Sequence, residues 1–208
     1  LVNGAPGAAQ TILLAHGAGV SMDCPWMDQA SASLAAEGFR VVRFEFEYMA
    51  ARRTLGIRKP PPKADVLIAE YRSAIDDLDA KGNLIIGGKS MGGRIASMIA
   101  DEFHSSHRID GLLCLGYPFH PPGKPESLRT QHLLDLKTPA LICQGSRDPF
   151  GTKDEVMTYP LSKAIEVLWL EDGDHDFQPR KSTAGVIQSI HFATMAATVR
   201  AWAERITP

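Results

Sequence analysis

The heptapeptide Gly-Gly-Lys-Ser-Met-Gly-Gly at residues 87–93 contains two overlapping motifs that predict different chemistry. One is the end of the phosphate-binding motif G-x-x-x-x-G-K-[ST], whose glycine-rich loop cradles a nucleotide. The other is G-x-S-x-G, a sharp turn that presents a nucleophilic serine, here Ser90. The first glycine of the phosphate motif falls on Asn83, and residues 84–86 form an apolar run typical of a strand. The serine motif is therefore the better interpretation.

The sequence on both sides of Ser90 also favours a turn between a strand and a helix. An apolar run enters the turn, and Ile95 and Ile99 continue after it with helical spacing. Such a turn forces the nucleophile into strained backbone angles. It also brings strand and helix so close that Gly88 and Gly92 have no room for side chains. We therefore predict that Ser90 is a nucleophile.

A serine hydroxyl becomes an effective nucleophile only when a base removes its proton and an acid orients that base. In one recurrent order, the acid and then the histidine follow later strands of the same sheet. Asp148 follows the apolar run 140–144, and His175 follows the run that ends at Leu170. These positions predict Asp148 as the acid and His175 as the base.

Other roles for these two residues stay open. Asp148 precedes a proline, where aspartate is a common turn former, and a histidine at position 175 is also compatible with an ordinary polar loop. Three nearer carboxylates, those of Asp172, Asp174 and Asp176, compete as partners of the histidine. Residues so close in sequence to an imidazole rarely reach its nitrogen in the required direction, so Asp148 is preferred.

An acyl-transfer reaction also needs hydrogen-bond donors for the oxyanion. The first long apolar run ends in His16-Gly17-Ala18-Gly19, and its glycines allow backbone N–H groups to face a neighbouring site. We expect the amides of Ala18 and Met91 to form the donor pair, because Met91 also begins a helix. His16 is expected to hold the loop through hydrogen bonds.

Short β-rich apolar runs alternate with segments of helical period, which is typical of a mostly parallel sheet with helices on both faces. The 208 residues are enough for one well-buried α/β domain, over 1–208, with a central sheet of about six strands. The predicted strands are 11–16, 39–46, 83–87, 111–116, 140–144 and 165–170. Residues predicted to face inward are Trp26, Met27, Ala30 and Leu34, then Leu67, Tyr71, Ala74, Ile75 and Leu78, then Ile95, Met98, Ile99 and Phe103, and, in a last helix over about 186–206, Phe192, Met195, Val199, Trp202 and Ile206.

The net charge is -2 and the isoelectric point is about 6.4, so overall electrostatics favour neither nucleic acid nor an anionic membrane surface as a partner. The apolar run near the N-terminus is too short for a signal peptide or a membrane span, which predicts a soluble, cytoplasmic protein. Cys114 and Cys143 lie in apolar runs and are expected to be reduced core residues, and Cys24 is expected to be a bystander thiol in a loop. The proposed chemistry requires no metal and no organic cofactor.

The serine turn 88–92, the loop 16–19, Asp148 and His175, in this order, resemble the α/β-hydrolase superfamily. More narrowly, the chain is similar to small predicted hydrolases related to dienelactone hydrolases, through the stretches HGAG, YMAARRTLGIRKPPP, GGKSMGGR, GYPFHPPGKPESLR, QGSRDPFG and GDHDF. The resemblance spans almost the whole chain and implies a serine hydrolase fold without a defined substrate. Its eukaryotic relatives include a subunit of a chromatin-modifying complex. Dienelactone hydrolases proper use a cysteine nucleophile, and Ser90 departs from that pattern.

The cover over Ser90 is expected to come from loops. Between residues 118 and 140 there is room for only one short helix, over 126–134, so no large lid domain is expected. The arginines of the segment 48–63 either form a solvated surface or bind an anionic group of the substrate. The side chains expected to contact the substrate are Arg52, Arg53, Trp26, Phe119 and Phe150.

These features predict a Ser-His-Asp hydrolase of the esterase or thioesterase type, which cleaves a small-molecule acyl substrate through an acyl-enzyme on Ser90. The main alternative is a scaffold or binding protein that keeps the hydrolase fold without the chemistry. That alternative predicts loss of the triad residues, which are all present. Nucleotide binding through residues 88–90 has the least support.

Overall fold

Strands and helices alternate along the chain, as the sequence pattern predicts. The structure is a computed structural model that describes residues 1–78, 80, 83–181 and 187–207. The strands are β1 (Val2–Asn3), β2 (Gln10–Ala15), β3 (Arg40–Phe44), β4 (Asn83–Lys89), β5 (Gly111–Leu115), β6 (Ala140–Gly145) and β7 (Ile165–Leu170). The helices are α1 (Pro25–Ala36), α2 (Glu47–Leu55), α3 (Ala64–Asp76), α4 (Met91–Ser97), α5 (Ala100–Ser105), α6 (Lys153–Val156) and α7 (Gln188–Ile206), with a 3-10 turn at Gln131–Leu133.

The strands form one sheet in the order β1-β3-β2-β4-β5-β6-β7. Strands β2 to β7 are parallel to one another, and the edge strand β1 pairs antiparallel with β3. The predicted α/β fold with a mostly parallel sheet is confirmed, and every predicted strand is present. Strand β1 was not predicted, because two residues give no periodic pattern.

Helices cover both faces of the sheet, and each face has its own apolar core. On one face, α1 and α7 pack through Met27, Leu34 and Trp202, none of which is more than 1% exposed. On the other face, α3, α4 and α5 pack through residues such as Tyr71 and Ile95. Most residues predicted to face inward are buried, but Trp26, Ala74, Leu78 and Ile206 are half-buried and Met98 is exposed. Among the described helices, none is long and apolar enough to cross a membrane.

Two helices differ in extent from the prediction. The helical pattern after the serine turn is broken into α4 and α5, because a turn at Met98 and Ile99 interrupts the backbone ladder. The last helix begins at Gln188, whereas it was expected from about Val186, which lies outside the described residues. These differences leave the predicted packing of the helices on the sheet unchanged.

Two segments between the strands also differ from the prediction. The segment 48–63, expected to be a loop, is helical to Leu55, and the helix ends at Gly56 with a φ of 70°. Only Met49 of this helix is buried, so its apolar pattern is too weak to be recognised in the sequence. The helix expected over 126–134 is reduced to the 3-10 turn, since tertiary contacts engage its backbone: Tyr117 donates a hydrogen bond to the carbonyl oxygen of Arg129. In the described chain, no large lid domain covers the sheet.

Tyr71 connects helix α3 to the two central strands. Its ring is fully buried, and its hydroxyl lies 2.7 Å from the carbonyl oxygen of Gly87 and 3.1 Å from that of Leu13. The same hydroxyl accepts a hydrogen bond from the amide of Gly87 at 2.9 Å. Burial raises the pKa of Tyr71, so the hydroxyl remains protonated as a donor. This side chain therefore satisfies backbone groups on two strands close to the serine turn.

We predict that Tyr71→Phe lowers the free energy of unfolding by about 1–3 kcal/mol, because it leaves buried backbone groups without their partner. Urea unfolding followed by circular dichroism measures the change. Tyr159→Phe is the matched control, since the Tyr159 hydroxyl makes no hydrogen bond within the described residues, and a change below about 0.5 kcal/mol is expected. Equal effects of the two substitutions would contradict a role for the Tyr71 hydroxyl.

Candidate active site

Ser90 lies at the turn between β4 and α4 in a backbone conformation that non-glycine residues rarely adopt. Its φ is 52° and its ψ is -115°. Such a conformation costs of the order of 1–3 kcal/mol and persists only where the surrounding structure holds it. The predicted strain at Ser90 is confirmed, and the hydroxyl is carried on a sharp turn at the end of a central strand.

Crowding around Ser90 explains the two glycines of the motif. A Cβ atom on Gly88 would lie 2.4 Å from the carbonyl oxygen of Ala15, and one on Gly92 would lie 2.4 Å from the same atom. Both distances are far shorter than any van der Waals contact between these atoms. The end of β2, the end of β4 and the start of α4 therefore meet without space for side chains at these positions, as the motif predicted.

The predicted nucleophile, acid, histidine and oxyanion loop all follow the carboxyl ends of parallel strands. Ser90 follows β4, the loop 16–19 follows β2, Asp148 follows β6 and His175 follows β7. In an open parallel sheet these ends lie along one edge, where ligand sites are usually found. The topology thus brings four segments that are far apart in sequence to the same side of the molecule.

Asp148 and His175 are in direct contact. Oδ2 of Asp148 lies 2.7 Å from Nδ1 of His175, and the Asp148 side chain is completely buried. The same carboxylate accepts hydrogen bonds from the amide of Phe150 at 2.8 Å and from Nε2 of Gln144 at 2.9 Å. A buried carboxylate requires donors of this kind to offset its lost hydration. Its position is therefore fixed from several sides.

The three other candidate carboxylates have different partners. Asp172 pairs with Arg147 and Arg180, each at 2.7 Å. The carboxylate of Asp174 accepts hydrogen bonds from two backbone amides of its own loop, those of residues 176 and 178. The carboxylate of Asp176 lies 3.2 Å from the Lys89 ammonium. In the described chain, the carboxylate bonded to the ring of His175 is that of Asp148.

Ser90 and His175 line the same cavity, which has a volume of about 270 Å³. The remaining lining residues are Gly17, Ala18, Gly19, Val20, Lys89, Phe150 and Asp176. No hydrogen bond joins Ser90 to the imidazole within the described residues, and such bonds are often long until a substrate is bound. The cavity nevertheless brings together the serine, the histidine and the glycine-containing loop that the sequence identified.

The loop 16–19 is held by its carbonyl groups. Nδ1 of His16 bonds to the carbonyl oxygen of Gly17 at 2.7 Å, and the Tyr48 hydroxyl donates to that of Ala18 at 2.9 Å. Because a trans peptide directs its N–H opposite to its C=O, the amide of Ala18 points away from the ring of His16. Neither this amide nor that of Met91, the first residue of α4, donates a hydrogen bond in the described chain.

His16 has the structural role that the sequence predicted. It is completely buried, and its Nε2 accepts a hydrogen bond from the amide of Phe46 at 3.1 Å, so Nδ1 carries the proton. Burial lowers the pKa of His16, because the charged imidazolium loses its hydration. The neutral ring thus connects the loop after β2 to the segment before α2.

The three predicted aromatic contacts have different positions. The Phe150 ring lines the cavity, with its centroid 4.3 Å from that of His175. Trp26 donates a hydrogen bond from Nε1 to the carbonyl oxygen of Asp176 at 2.9 Å, so it supports the histidine loop from behind. Phe119 is completely buried beside Tyr117, and its ring belongs to the core. The expectation that Phe119 forms a wall of the site is therefore wrong, because no part of its ring is accessible.

The two predicted arginines lie on α2 and line a second cleft of about 460 Å³. This cleft shares Gly19 and Val20 with the cavity that contains Ser90 and His175. Arg53 pairs with the carboxylate of Glu45 at 2.7 Å, whereas the hydrogen bond of Arg52 within the described residues is a long one of 3.4 Å, to the carbonyl oxygen of Gly19. The two arginines therefore differ in how far their charge is already neutralised.

The strand order and the serine turn agree with the family to which the chain is matched. The model of the family described as alpha/beta hydrolase domain matches residues 8–204 of the chain. The chain belongs to this family. The family resemblance that the sequence motifs indicated is confirmed for the α/β-hydrolase superfamily.

Solved structures agree on the fold of this alpha/beta hydrolase domain. The esterase domain of a Rhodothermus marinus protein superposes with a TM-score of 0.67 at 18% identity, covering 98% of this chain and 91% of that chain. Dienelactone hydrolase from Anabaena variabilis gives a TM-score of 0.70 at 18% identity, covering 100% of this chain and 91% of that one. Est1E from Butyrivibrio proteoclasticus, solved with ferulic acid, gives 0.70 at 11% identity, covering 99% and 94%.

Sequence reasoning missed Gln144, which holds the carboxylate of Asp148 in this hydrolase-fold site. It lies fully buried at the end of β6. Its Oε1 accepts a hydrogen bond from the backbone amide of Tyr117 at 2.7 Å, and its Nε2 donates to the carbonyl oxygen of Tyr117 at 3.2 Å. It therefore links the end of β5 to the carboxylate of Asp148. A glutamine inside an otherwise apolar strand, four residues before the predicted acid, is the signal that could have identified it.

We predict that His16 makes the stability of this alpha/beta hydrolase domain depend on pH. Below about pH 6.5 His16 binds a proton in the unfolded chain but not at its buried position in the folded protein, so acidification favours unfolding. The free energy of unfolding of the wild type should fall as the pH is lowered from 7.5 to 5.5. That of His16→Asn should fall less steeply. Urea unfolding at several pH values measures both slopes.

The control for this pH dependence is His107→Asn. His107 is exposed and has a φ of 57°, which asparagine adopts readily, so this variant should keep the slope of the wild type. The pKa of His132 is lowered by burial and by Arg94, so this residue contributes to the remaining slope in the same direction. An unchanged slope in His16→Asn would contradict the prediction.

Proposed function

We propose that the protein is a serine hydrolase that cleaves a carboxylic ester or thioester of modest size. Ser90 Oγ attacks the acyl carbon while His175 takes its proton, and the imidazolium then protonates the departing oxygen or sulfur. Water, deprotonated by the same imidazole, attacks the acyl-enzyme, and the acid product leaves with Ser90 restored. Asp148 keeps the imidazole in one orientation and one tautomer throughout.

The contact between Asp148 and His175 is the observation that carries the proposal. A buried carboxylate 2.7 Å from Nδ1 favours the tautomer with its proton on that nitrogen. Nε2 then has a free lone pair, which a general base requires. The nucleophile with strained backbone angles lines the same cavity. A carboxylate, an imidazole and a serine in this relation support acyl transfer more than any other reaction class.

The oxyanion is proposed to bind to the amides of Ala18 and Met91. Both are without a partner in the described chain, and the amide of Met91 lies at the N-terminus of α4, where the helix dipole favours a negative charge. Burial, followed by the charge of Glu70, raises the pKa of Tyr48 to about 12, so its hydroxyl stays protonated and holds the Ala18 carbonyl. The hydrogen bond from His16 to the Gly17 carbonyl fixes the peptide that carries the Ala18 amide, so this donor is oriented before a substrate arrives.

Ester cleavage is proposed ahead of amide cleavage. An amine is a poorer leaving group than an alkoxide or a thiolate and needs full protonation by the acid. The similar structures include an esterase domain and a dienelactone hydrolase, whose names agree with ester chemistry. The substrate is a small molecule, since the catalytic cavity and the adjoining cleft have volumes of about 270 and 460 Å³.

An anionic group on the substrate is proposed to bind to Arg52. The carboxylate of Glu45 neutralises Arg53, and Arg53 also interacts electrostatically with Asp23, another residue that lines the cleft. Arg52 has no carboxylate partner in the described chain and lies at the end of the cleft that adjoins the catalytic cavity, beside Gly19. Its guanidinium is therefore the cation available for a carboxylate or phosphate near the reacting ester.

We predict that Ser90→Ala abolishes both ester hydrolysis and labelling by a fluorophosphonate probe, because both require the serine oxygen. Asp148→Asn should lower kcat by of the order of 10³–10⁴-fold, since the imidazole then loses the partner that fixes its tautomer. A panel of acyl esters and thioesters of varied length, with gel fluorescence of the probe, provides the measurements.

Ser105→Ala, at an exposed position on α5, is the matched control and should retain activity and labelling. Probe labelling that persists in Ser90→Ala would contradict the assignment of the nucleophile. Absence of labelling and hydrolysis in the wild type would favour the alternative function, a scaffold that keeps the fold without the chemistry.

We predict that Arg52→Gln lowers kcat/KM by about tenfold for an ester with a carboxylate on its acyl chain. The kcat/KM for the neutral ester of equal length should change much less. A hydrogen bond between charged groups contributes about 1.5–3 kcal/mol, and partial exposure of Arg52 reduces this value. Parallel kinetics on the two esters give the ratio directly.

The double variant Glu45→Gln, Arg53→Gln is the control, because it removes both charges of one ion pair and leaves Arg52 in place. Its preference for the anionic ester should match that of the wild type. Equal losses on both esters in Arg52→Gln would show that this arginine acts through the shape of the loop and not through its charge.

A further inference from the structure

Lys89 is the residue before the nucleophile, and the proposed reaction gives it no role. Its side chain is only 5% exposed, which is unusual for a lysine. It extends from the last position of β4 toward the loop after β7, and it lines the cavity that contains Ser90 and His175. The phosphate-loop interpretation would place this ammonium on a nucleotide, but its contacts are with protein groups.

The ammonium of Lys89 contacts the two residues at the tip of the histidine loop. It donates a hydrogen bond to the carbonyl oxygen of His175, and it lies 3.2 Å from Oδ1 of Asp176. The indole ring of Trp26 lies beneath it, with the ring centroid 4.8 Å from Nζ. A Cβ on Gly116 would lie 3.0 Å from Nζ, so the glycine leaves room for the ammonium.

These contacts favour the charged form of Lys89. Burial lowers the pKa of this lysine, and the carboxylates of Asp176 and Asp148 oppose that decrease. An aromatic face also attracts a cation more strongly than a neutral amine. Because the protein groups surround the ammonium and leave little of it accessible, direct contact with a substrate is not its role.

The same loop tip is held by two further donors. Trp26 Nε1 and Gln188 Nε2 bond to the carbonyl oxygen of Asp176 at 2.9 Å and 2.7 Å. Helices α1 and α7 thus fix one carbonyl, and Lys89 fixes the preceding one. Of these three donors, only Lys89 is adjacent in sequence to the nucleophile, so it alone connects the serine turn directly to the histidine.

We propose that Lys89 is a positioning residue that sets the placement of His175 relative to Ser90 and provides a positive charge beside the imidazole. This inference rests on the proposed serine hydrolase function and extends it. The backbone of Lys89 continues into the strained serine turn, while its ammonium holds the carbonyl of the histidine. One side chain therefore couples two catalytic groups that approach from different strands.

The charges that face His175 come from three segments. Asp148, after β6, contacts the ring; Lys89, from β4, contacts its carbonyl; Asp174 and Asp176 flank it in its own loop. A nearby cation disfavours the protonated imidazole, and a nearby anion favours it. Removing Lys89 should therefore move the acid limb of the pH profile of kcat/KM to higher pH, and removing the charge of Asp176 should move it to lower pH.

The first experiment compares Lys89→Met with the wild type. A displacement of a catalytic group by about 1 Å costs roughly 100-fold in rate, so kcat should fall by about that factor with little change in KM. The acid limb should rise by about one pH unit. Lys163→Met, at an exposed position before β7, is the control and should leave kcat and the pH profile unchanged. Circular dichroism verifies that each variant is folded.

The second variant, Asp176→Asn, does not depend on how Lys89→Met folds, since the Asp176 side chain is 64% exposed. It removes the carboxylate that anchors the ammonium, and it should lower kcat while shifting the acid limb to lower pH. A role in stability alone would move the acid limb in neither variant. Acid limbs that stay in place or move in the same direction, or a kcat for Lys89→Met within about twofold of the wild type, would overturn the inference.

Labelling of Ser90 separates this inference from the proposed function. If the wild type reacts with the fluorophosphonate probe and hydrolyses esters, the serine hydrolase function stands, whatever the Lys89 variants do. If the wild type neither reacts nor hydrolyses, the proposed function fails and the role of Lys89 in positioning fails with it. A reactive wild type with an unaffected Lys89→Met therefore rejects the positioning role alone.

Discussion

The close approach of three backbone segments at the serine turn is the constraint on which the rest of the structure depends. The carbonyl oxygen of Ala15 would clash with a side chain at either Gly88 or Gly92, so the end of β2 touches both the strand that enters the turn and the helix that leaves it. Ser90 keeps its strained angles because this contact fixes both flanks. Tyr71 contributes from the other direction, since its hydroxyl holds the backbone of β4 immediately before the turn.

Around this fixed turn, the proposed catalytic groups are positioned by buried polar contacts and not by the sheet alone. Gln144 holds the carboxylate of Asp148 and the backbone after β5, so neighbouring strands are connected at their carboxyl ends. In a medium of low polarity each such bond is strong, and each missing partner is costly. The positions of Asp148 and His175 therefore depend on groups that take no direct part in the proposed reaction.

The sequence predicted those features that local pattern encodes. The spacing of apolar residues and the residue types at the turns predicted the strands, the serine turn and the order of acid and histidine. This was possible because parallel strands place their carboxyl ends along one edge. It did not predict that Phe119 is buried or that Trp26 supports the histidine loop, because an aromatic residue has the same local pattern in a wall and in a core. Helix α2 was missed since Met49 is its only buried residue.

Helix α2 has a consequence for how this scaffold can change. Tyr48 and Arg52, one turn apart, hold successive carbonyl groups of the loop that contains the proposed oxyanion donor Ala18, and Arg52 also lines the cleft beside the cavity. Reactivity and selectivity thus share one short element. Laboratory evolution that randomises α2 to obtain new specificity would often damage turnover at the same time, whereas variation at Asp23, which lines the cleft but not the cavity, would alter selectivity with less damage.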